Sequence, residues 1–380
     1  MTLSSTDDKQ KVLFLTPLPP PFYGSALSSQ TCLNVLKSDN RFEVINIKIN
    51  YSDSLCNLNK FSLKKIIGFA DVLNQIFVSI KKFKPDLVYL MPATSGFAFW
   101  RDIIIAIILK MFGLRIIFHL RTRIICHGLI GFIRLKIFKY VFSSQKVILL
   151  GKELIADIEN IVDRNNILLL TNAIEQHISD DEFNSIFSFK NNDTRNLKLL
   201  FLSNMIKAKG WPKALHAAKI LSDKGFCFEF YFAGSWISRE DEIEFYHTVS
   251  GYDLSDKVYF LGHADLDKKK ELFNKCDVLI FPTEYRLETF GRVIIEAMEY
   301  GIPVIANGIG TIPSIIEHGV DGFVLEENTP TEIAHYIIDL ANSVKRSSIS
   351  LNARNAFLKR FTTDVFKDKF IDIIYSSSIS

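Results

Sequence analysis

The stretch PTEYRLETFGRVIIEAMEYGIPVIA, residues 282–306, decides the fold of the second half of this chain. The apolar run VLIF stands just before it and is typical of a buried parallel strand. Gly291 and Gly301 bracket a segment with helical apolar spacing, so we predict that a helix begins at the first glycine and ends at the second. The run IPVIA then predicts another strand, and this strand–helix–strand order indicates a parallel sheet with helices on its faces.

Similar strand–helix units extend outward from this stretch in both directions. Toward the N-terminus, short apolar runs such as KVLFLTPLP, PDLVYLMP and LRIIFHL alternate with helical patterns. A second series begins with LKLLFLSN and ends with GFVL, after a polar, Asn/Asp-rich stretch that reads as a linker. The sequence therefore predicts an α/β protein of two doubly wound domains facing across a cleft, residues 1–178 and 179–363, followed by an amphipathic segment, 364–380.

Composition excludes several classes of protein. The five cysteines are odd in number and lack ligand spacing, which predicts a reduced, cytosolic protein without disulfides or structural zinc. The polar start MTLSSTDDKQ is unlike a signal peptide. Charged residues interrupt FAFWRDIIIAIILKMFGLRIIFHL, so we expect a buried helix and strand there instead of a membrane span.

The charge is unevenly distributed along the chain. Residues 1–175 hold 22 Lys/Arg against 13 Asp/Glu, and residues 41–146 alone hold 17 against 5. The segments SLKKIIGFADVLNQIFVSIKKFK and GLIGFIRLKIFKYVF interleave apolar and cationic positions, as helices at membrane surfaces do. We expect an anionic membrane surface or substrate and no nucleic acid; the alternative is that these helices bury their apolar faces in the domain core while the cations form a solvated face.

Two glutamates flank the predicted helix start. A helix start offers unpaired amides and a positive dipole end, which suit an anion. Glu288 precedes the helix, and Glu296 lies inside it, roughly 9 Å along the axis at ~1.5 Å per residue. A nucleotide sugar, with a hexose on one side of a diphosphate and a ribose on the other, would use both carboxylates as acceptors for hydroxyl groups. The alternative for Glu296 is a solvated helix position.

Two further loops follow predicted first strands. In TPLPPPFYGSALSS, Gly24 allows close backbone approach before a helix, and Lys209 in SNMIKAKGWPKAL can neutralise a phosphate as a point charge. An ordinary strand-to-helix turn and an ordinary loop lysine are the alternatives.

The segment ETFGRVIIEAMEYGIPVIA resembles the E-x7-E signature of the retaining glycosyltransferases of family 4, which have the GT-B fold of two Rossmann-like domains. PLPPPFYGSA, FHL, LLLTNAIE, LSNMIKAKGW and GTIPSIIEHGVDGFVL resemble further family motifs in the same order. The resemblance therefore covers most of the chain, and it implies that the terminal helix 364–380 packs back on the first domain.

The resemblance also implies roles for individual residues. Glu296 would bind the ribose, Glu288 would hold the donor sugar, and Lys209 would neutralise the leaving diphosphate. His119 would stand near the sugar on the acceptor side, and the loop around His263 would border the base. The implied catalytic residues are Glu288, His119 and Lys209; the implied donor-binding residues are Gly24, Lys209, Glu288, Phe290, Gly291, Arg292 and Glu296.

One position departs from the family pattern. Asn204 stands where the family has an arginine that shares the phosphate charge, and an amide carries no charge. Either another cation compensates, with Arg292 and Arg121 as the candidates, or the leaving group is held less tightly.

The expected activity is transfer of a hexose from a nucleotide diphosphate sugar, UDP- or GDP-linked, to a glycan acceptor. Here the acceptor is expected to be lipid-linked, the pathway that of a bacterial surface polysaccharide such as O-antigen or capsule, and the location cytoplasmic, peripheral on the inner face of the membrane. The alternatives are a nucleotide-sugar epimerase or hydrolase, and a non-catalytic nucleotide-sugar-binding protein.

No cofactor and no metal are expected. The D-x-D triplet at Asp265–Asp267 resembles a metal site of other glycosyltransferases but is interpreted as a helix start capped by Asp267. GIGTIP lacks the third glycine of a dinucleotide fingerprint and is set aside.

Overall fold

The computed structural model describes residues 9–20, 24–49, 63–94, 96–124, 128–192 and 196–379. The chain divides into an N-terminal unit, Met1–Ala173 with Thr363–Ser380, and a C-terminal unit, Ile174–Thr362. The sequence analysis placed this division after residue 178. In the structure the Ile174 amide donates to the carbonyl of Phe361 at 3.0 Å, so the chain enters the C-terminal unit beside the point where it leaves it.

The N-terminal unit is built on a parallel sheet with the strand order β2-β1-β3-β4-β5-β6. The central strands β3 and β4 are short apolar runs that are buried along their whole length, as expected where helices cover both faces. The strands are β1 Gln10–Thr16, β2 Phe42–Lys48, β3 Leu87–Leu90, β4 Ile116–Leu120, β5 Lys146–Leu149 and β6 Ile167–Leu169.

The α-helices in the described part of this unit are α1 Gly24–Ser38, α2 Leu63–Lys82, α3 Gly96–Met111, α4 Gly128–Phe142 and α13 Thr363–Ile379. The chain moves toward one edge of the sheet from β1 to β2 and toward the other edge from β2 through β3 to β6. Because the crossovers are right-handed, α1 lies on one face of the sheet and α2–α4 lie on the other. The side chain of Phe370 on α13 lies in the same apolar cluster as Cys32 on α1. The last helix therefore packs on the α1 face, as the family resemblance implied.

Helix α3 corrects one expectation. Strand β4 is buried as predicted, but α3 leaves Trp100, Ile104 and Met111 exposed, although it was expected to be a buried helix. The reason is its place in an outer layer, where only the side facing the sheet is covered.

The C-terminal unit has a second parallel sheet, with the strand order β12-β11-β10-β7-β8-β9. The strands are β7 Leu197–Leu202, β8 Phe228–Ala233, β9 Val258–Phe260, β10 Val278–Phe281, β11 Val304–Asn307 and β12 Gly322–Leu325. The helices are α5 Asp180–Asn192, α6 Trp211–Asp223, α7 Arg239–Gly251, α8 Leu266–Lys275, α9 Arg292–Glu299, α10 Ile312–Ile315, α11 Pro330–Asp339 and α12 Ser343–Arg360.

Helix α5 replaces part of the stretch predicted to be a linker. The Glu182 side chain accepts from the Ser179 amide at 2.8 Å, and the Ser179 hydroxyl accepts from the Glu182 amide at 3.2 Å, which is a reciprocal cap. Phe183 is buried, and Asp180 accepts from Arg354 at 2.8 Å. The polar composition of the stretch concealed the cap and the few apolar anchors that make it a helix.

The order of strands brings two distant loops together. β7 lies beside β10, yet the chain leaves β7 toward β8 and leaves β10 toward β11, in opposite directions across the sheet. Right-handed crossovers then send α6 and α9 to opposite faces. The loops after β7 and β10 therefore flank a topological switch point, where ligands bind in sheets of this kind.

Candidate functional site

An ion pair joins the two loops at the switch point. The Nζ of Lys209, in the loop after β7, lies 2.6 Å from the Oε2 of Glu288, in the loop after β10. The other carboxylate oxygen, Oε1, accepts the Gly291 amide at 3.0 Å. Both charged side chains are about 13% exposed, so the pair is largely withdrawn from water yet open to a ligand. Glu288 is thereby held from two sides in one orientation.

The surroundings of Lys209 favour a cation. Its Nζ lies 4.6 Å from the ring centroid of Tyr285 and 5.8 Å from that of Phe281, within the range of cation–π attraction. The sequence analysis did not single out Tyr285, and nothing in the sequence alone places its ring beside a lysine far away in the chain.

The backbones of the same two loops are in direct contact. The Glu284 amide donates to the carbonyl of Ala208 at 2.7 Å. Gly210, which precedes α6, has a φ of 93°, and a Cβ there would lie 2.3 Å from the carbonyl oxygen of Pro282. Only glycine permits this approach, so it sets the spacing between Lys209 and Glu288.

Glu296 is the fifth residue of α9 and is not a solvated helix position. Its Oε2 lies 2.8 Å from the Nζ of Lys269 on α8, and its Oε1 lies 3.2 Å from the Nε of Arg292. The sequence analysis missed Lys269, which is the middle member of a run of three lysines. Its neighbours bind elsewhere, Lys268 to Glu271 and Lys270 to Glu182, so only the fold distinguishes the three.

Gly291 and Phe290 shape the start of α9. Gly291 is the N-cap with φ 69°, and a Cβ there would come within 3.0 Å of the side chains of Ile294 and Phe281. The side chain of Phe290 is buried, with its ring centroid 6.2 Å from that of Phe361. The first turn of the helix is therefore anchored by the buried Phe290 and by the close packing around Gly291.

The loop after β11 supports Glu288 from behind. The amide and the hydroxyl of Thr311 both donate to the carbonyl of Thr289, each at 2.8 Å. Gly310 has a φ of 60°, and a Cβ there would lie 2.7 Å from the carbonyl oxygen of Thr289 and 2.8 Å from that of Glu288. The GIGTIP stretch, set aside as a nucleotide motif, thus serves as a brace for the loop that carries the carboxylate.

Two predicted residues lie in the N-terminal unit. Gly24 is the first residue of α1, it is exposed, and a Cβ there would meet nothing within 4 Å. Residues 21–23, the part of the predicted loop directly before it, lie outside the described residues.

His119 is the other, and it is fully buried in β4. Its Nδ1 lies 2.5 Å from the hydroxyl of Tyr89, while its Nε2 meets no hydrogen-bond partner among the residues that the structure describes. Burial, and secondarily the charge of Arg121, hold the pKa of His119 well below its ordinary value, so the ring is neutral at physiological pH.

The two arginines proposed to compensate for Asn204 differ in position. Asn204 is exposed just after β7. Arg292 lies in the same unit and pairs with Glu296. Arg121 is buried in the N-terminal unit, where it donates to Asn172 and to the Sγ of Cys32.

The remaining predicted positions are the loop around His263 and the D-x-D triplet. The Nδ1 of His263 lies 3.2 Å from the Oγ of Ser235, so the loops after β8 and β9 meet. Asp265, not Asp267, caps α8 by accepting the Lys268 amide at 2.9 Å, because the helix begins two residues earlier than predicted. Among the described residues, no group of three or more His, Cys, Asp or Glu side chains is placed to hold a metal ion.

Comparison with known proteins gives a family and relatives. Residues 182–356 match the family model described as Glycosyl transferases group 1. The chain is 26% identical over 149 residues to the amylovoran biosynthesis glycosyltransferase AmsK of Erwinia amylovora, which is 38% of this chain and 36% of AmsK. It is 30% identical over 128 residues to the N-acetyl-alpha-D-glucosaminyl L-malate synthase of Bacillus anthracis, 33% of this chain and 32% of that enzyme. The matched segment thus spans about a third of the length of these curated relatives.

A solved structure resembles nearly the whole chain. HepE of Anabaena, determined in complex with UDP, superimposes with a TM-score of 0.73 over 97% of this chain and 100% of HepE, at 19% identity. Identity this low establishes the fold alone. The fold class predicted from the sequence, two doubly wound α/β units of the GT-B type, is confirmed by this match and by the two parallel sheets.

Proposed function

We propose that the protein transfers a hexose from a nucleotide diphosphate sugar to a glycan acceptor, on the premise that residues 182–356 match the family model of the glycosyl transferases group 1. The observation that carries the proposal is the pairing of Lys209 with Glu288 at the switch point, directly before the start of α9. A cation, a carboxylate and a helix N-terminus in one place suit a ligand that carries both phosphate and hydroxyl groups.

Each residue of this cluster has a proposed task. The diphosphate binds at the start of α9 and shares Lys209 with Glu288 as a counter-ion, which stabilises the negative charge that develops as the bond to the sugar breaks. Glu288, oriented by the Gly291 amide, accepts hydrogen bonds from the hexose hydroxyls and fixes the sugar for reaction. Glu296, supported by Lys269, accepts from the ribose hydroxyls.

The finer features of the reaction belong to the same proposal. They are retention of configuration at the anomeric carbon, a role for Arg292 in sharing the phosphate charge, and a role for His119 near the sugar. The name of the AmsK relative, amylovoran biosynthesis glycosyltransferase, supports a role in a biosynthetic pathway, and we propose that this pathway assembles a bacterial surface polysaccharide. We extend the proposal to a lipid-linked acceptor at the inner face of the cell membrane.

The proposal is tested in two steps with the full chain. A panel of UDP- and GDP-sugars is screened by thermal shift, where a ligand at a hundred times its Kd adds about 2.7 kcal/mol to the stability. Those that bind are then incubated with and without a lipid-linked glycan. Release of nucleotide that depends on the acceptor supports a transferase, release without acceptor indicates a hydrolase, and binding without turnover indicates a non-catalytic protein.

Chelation is expected to leave the activity nearly unchanged. The proposed counter-ions of the diphosphate are Lys209 and the amide end of α9, so no divalent cation is required to neutralise the leaving group. Initial rates with and without EDTA check this. A complete loss that manganese restores would contradict the proposed division of labour.

Replacing Glu296 with alanine is expected to raise the donor KM about tenfold or more, with kcat little changed. The ribose does not react, so its contacts are similar in the ground and transition states, and hydrogen bonds to a charged group contribute about 1.5–3 kcal/mol each. Steady-state kinetics with donor varied measures the split. Glu271→Ala, on the neighbouring helix α8, is the matched control, because Glu271 is an exposed glutamate that pairs with Lys268 at 2.8 Å and has no proposed role in donor binding.

A further inference from the structure

Three described helices of the N-terminal unit, α2, α3 and α4, form a single layer on one face of the sheet. The rings of Phe99 on α3 and Phe138 on α4 lie 5.2 Å apart, and the Nζ of Lys110 on α3 donates to the carbonyl of Tyr140 on α4 at 2.6 Å. The outer surfaces of α3 and α4 are therefore continuous.

The outer surface of this pair is apolar. On α3, Trp100, Ile104 and Met111 recur at helical spacing and are 42%, 43% and 77% exposed. On α4, Phe132, Ile133 and Tyr140 are 53%, 47% and 56% exposed. These six side chains are called the α3–α4 face below. Single exposed apolar residues are ordinary, but a group on two adjacent helices marks an interaction surface.

The charges on this surface are of one sign. Lys136 and Lys139 are exposed between Phe132 and Tyr140 on α4, and the Nζ of Lys136 lies 4.7 Å from the ring centroid of Phe132. Helix α4 contains no acidic residue. The acidic residue of α3, Asp102, is buried and paired with Arg101 at 2.6 Å. A partner surface must therefore combine apolar groups with negative charge at close spacing.

An anionic lipid bilayer has that chemistry, and we propose that the α3–α4 face docks into the headgroup region of such a bilayer. The apolar side chains enter the boundary of the acyl chains, Trp100 and Tyr140 take the interfacial level that suits amphipathic rings, and the two lysines contact phosphate headgroups. Within the described part of the chain, none of the helices combines the length and the hydrophobicity of a transmembrane span.

This inference deepens the part of the proposed function that concerns a lipid-linked acceptor. The functional reason for membrane binding rests on that proposed acceptor. Vesicle binding, however, requires neither donor nor acceptor. A failure to bind vesicles therefore leaves the proposed transferase activity untouched, and a failure of turnover leaves the surface untouched.

The first experiment uses the fluorescence of Trp100. The chain has three tryptophans, of which Trp211 is fully buried and Trp236 half-buried. The full-length protein is titrated with phosphatidylcholine vesicles and with mixed phosphatidylcholine–phosphatidylglycerol vesicles. We expect a blue shift with the anionic vesicles only, and the shift is absent in Trp100→Phe although that variant still binds in co-sedimentation.

The second experiment assigns the binding to the face. Trp100→Ser with Phe132→Ser, and separately Lys136→Glu with Lys139→Glu, are each expected to weaken partitioning about tenfold or more, and high salt weakens the wild type similarly. The matched controls lie in the C-terminal unit: Phe189→Ser with Val344→Ser removes exposed apolar side chains, and Lys268→Glu with Lys270→Glu reverses exposed charges. Both controls are expected to bind as the wild type does.

Three outcomes overturn the proposal. Equal binding to neutral and anionic vesicles removes the charge argument. Equal loss in the face variants and the controls shows that binding is not specific to α3 and α4. A concentration-dependent dimer that the face variants abolish, without vesicle binding, assigns the face to a second copy of the chain.

Discussion

Replacing Glu288 with alanine is expected to lower kcat about a hundredfold or more while the donor KM changes little. Its carboxylate is fixed by Lys209 at 2.6 Å and by the Gly291 amide at 3.0 Å, so it offers the hexose a single preorganised acceptor. Without it the sugar loses its alignment, and misplacement of about 1 Å costs on the order of 10²-fold in rate. Steady-state kinetics on the variant measures both constants.

Two further variants make the Glu288 result interpretable. Glu284→Ala lies in the same loop, where Glu284 pairs at 2.7 Å with Lys213 and is exposed, and it is expected to retain nearly full kcat. Glu288→Gln keeps an acceptor for the Gly291 amide but loses the charge facing Lys209, so we expect an intermediate kcat. A Glu288→Ala enzyme with normal kcat and only a raised KM would show that the carboxylate holds a part of the donor that does not react.

Replacing Gly310 with alanine is expected to lower kcat about tenfold to a hundredfold although residue 310 touches no substrate. The new Cβ would lie 2.7 Å and 2.8 Å from the carbonyl oxygens of Thr289 and Glu288, which are backbone atoms that cannot rotate away. Relief of this clash must displace the backbone that carries the Glu288 side chain, and small displacements are costly for catalysis. Kinetics together with thermal unfolding separates loss of alignment from loss of folding.

Gly319 provides the matched control for backbone strain. Its φ of 78° is as unfavourable for alanine as the 60° of Gly310, at roughly 1–2 kcal/mol, but a Cβ there meets nothing within 4 Å. Gly319→Ala is expected to lower the melting temperature through the strain of an alanine at positive φ and to leave kcat unchanged. If both variants lose kcat in proportion to stability, the brace formed by the loop after β11 has no specific effect on Glu288.

Thr311 tests the same brace through hydrogen bonding. Thr311→Ser keeps a hydroxyl that can donate to the carbonyl of Thr289. Thr311→Val removes this hydroxyl but keeps the hydrogen bond from the backbone amide of residue 311 to the same carbonyl, at 2.8 Å. If Thr311→Ser keeps the wild-type kcat and Thr311→Val lowers it, the hydroxyl group positions the loop through its hydrogen bond and does not merely fill space.

The sequence by itself determined the features whose partners are close along the chain. The helix between Gly291 and Gly301, with Glu288 before it and Glu296 within it, follows from local spacing, because a helix has a constant rise and its amide end needs no distant partner. The α/β class follows for a similar reason, since apolar runs alternating with helical periods leave a parallel sheet as the arrangement that buries both.

Two predictions from local composition were wrong, those for the segments that form α5 and α3. The polar stretch around residue 180 forms α5 because a reciprocal cap and the buried Phe183 stabilise it. Helix α3 has the composition of a buried element but exposes Trp100 and Met111, because composition does not reveal whether a helix lies in an inner or an outer layer.

Only the tertiary structure decided which distant residues meet. Lys209 and Glu288 are joined because β7 pairs with β10, and Glu296 meets Lys269 because α8 and α9 cross the sheet on the same face. The contact of Gly310 with the backbone of Thr289 likewise depends on β10 lying beside β11. Spacing along the chain cannot encode these contacts, because strand order is selected by the packing of the whole sheet and not by any single segment.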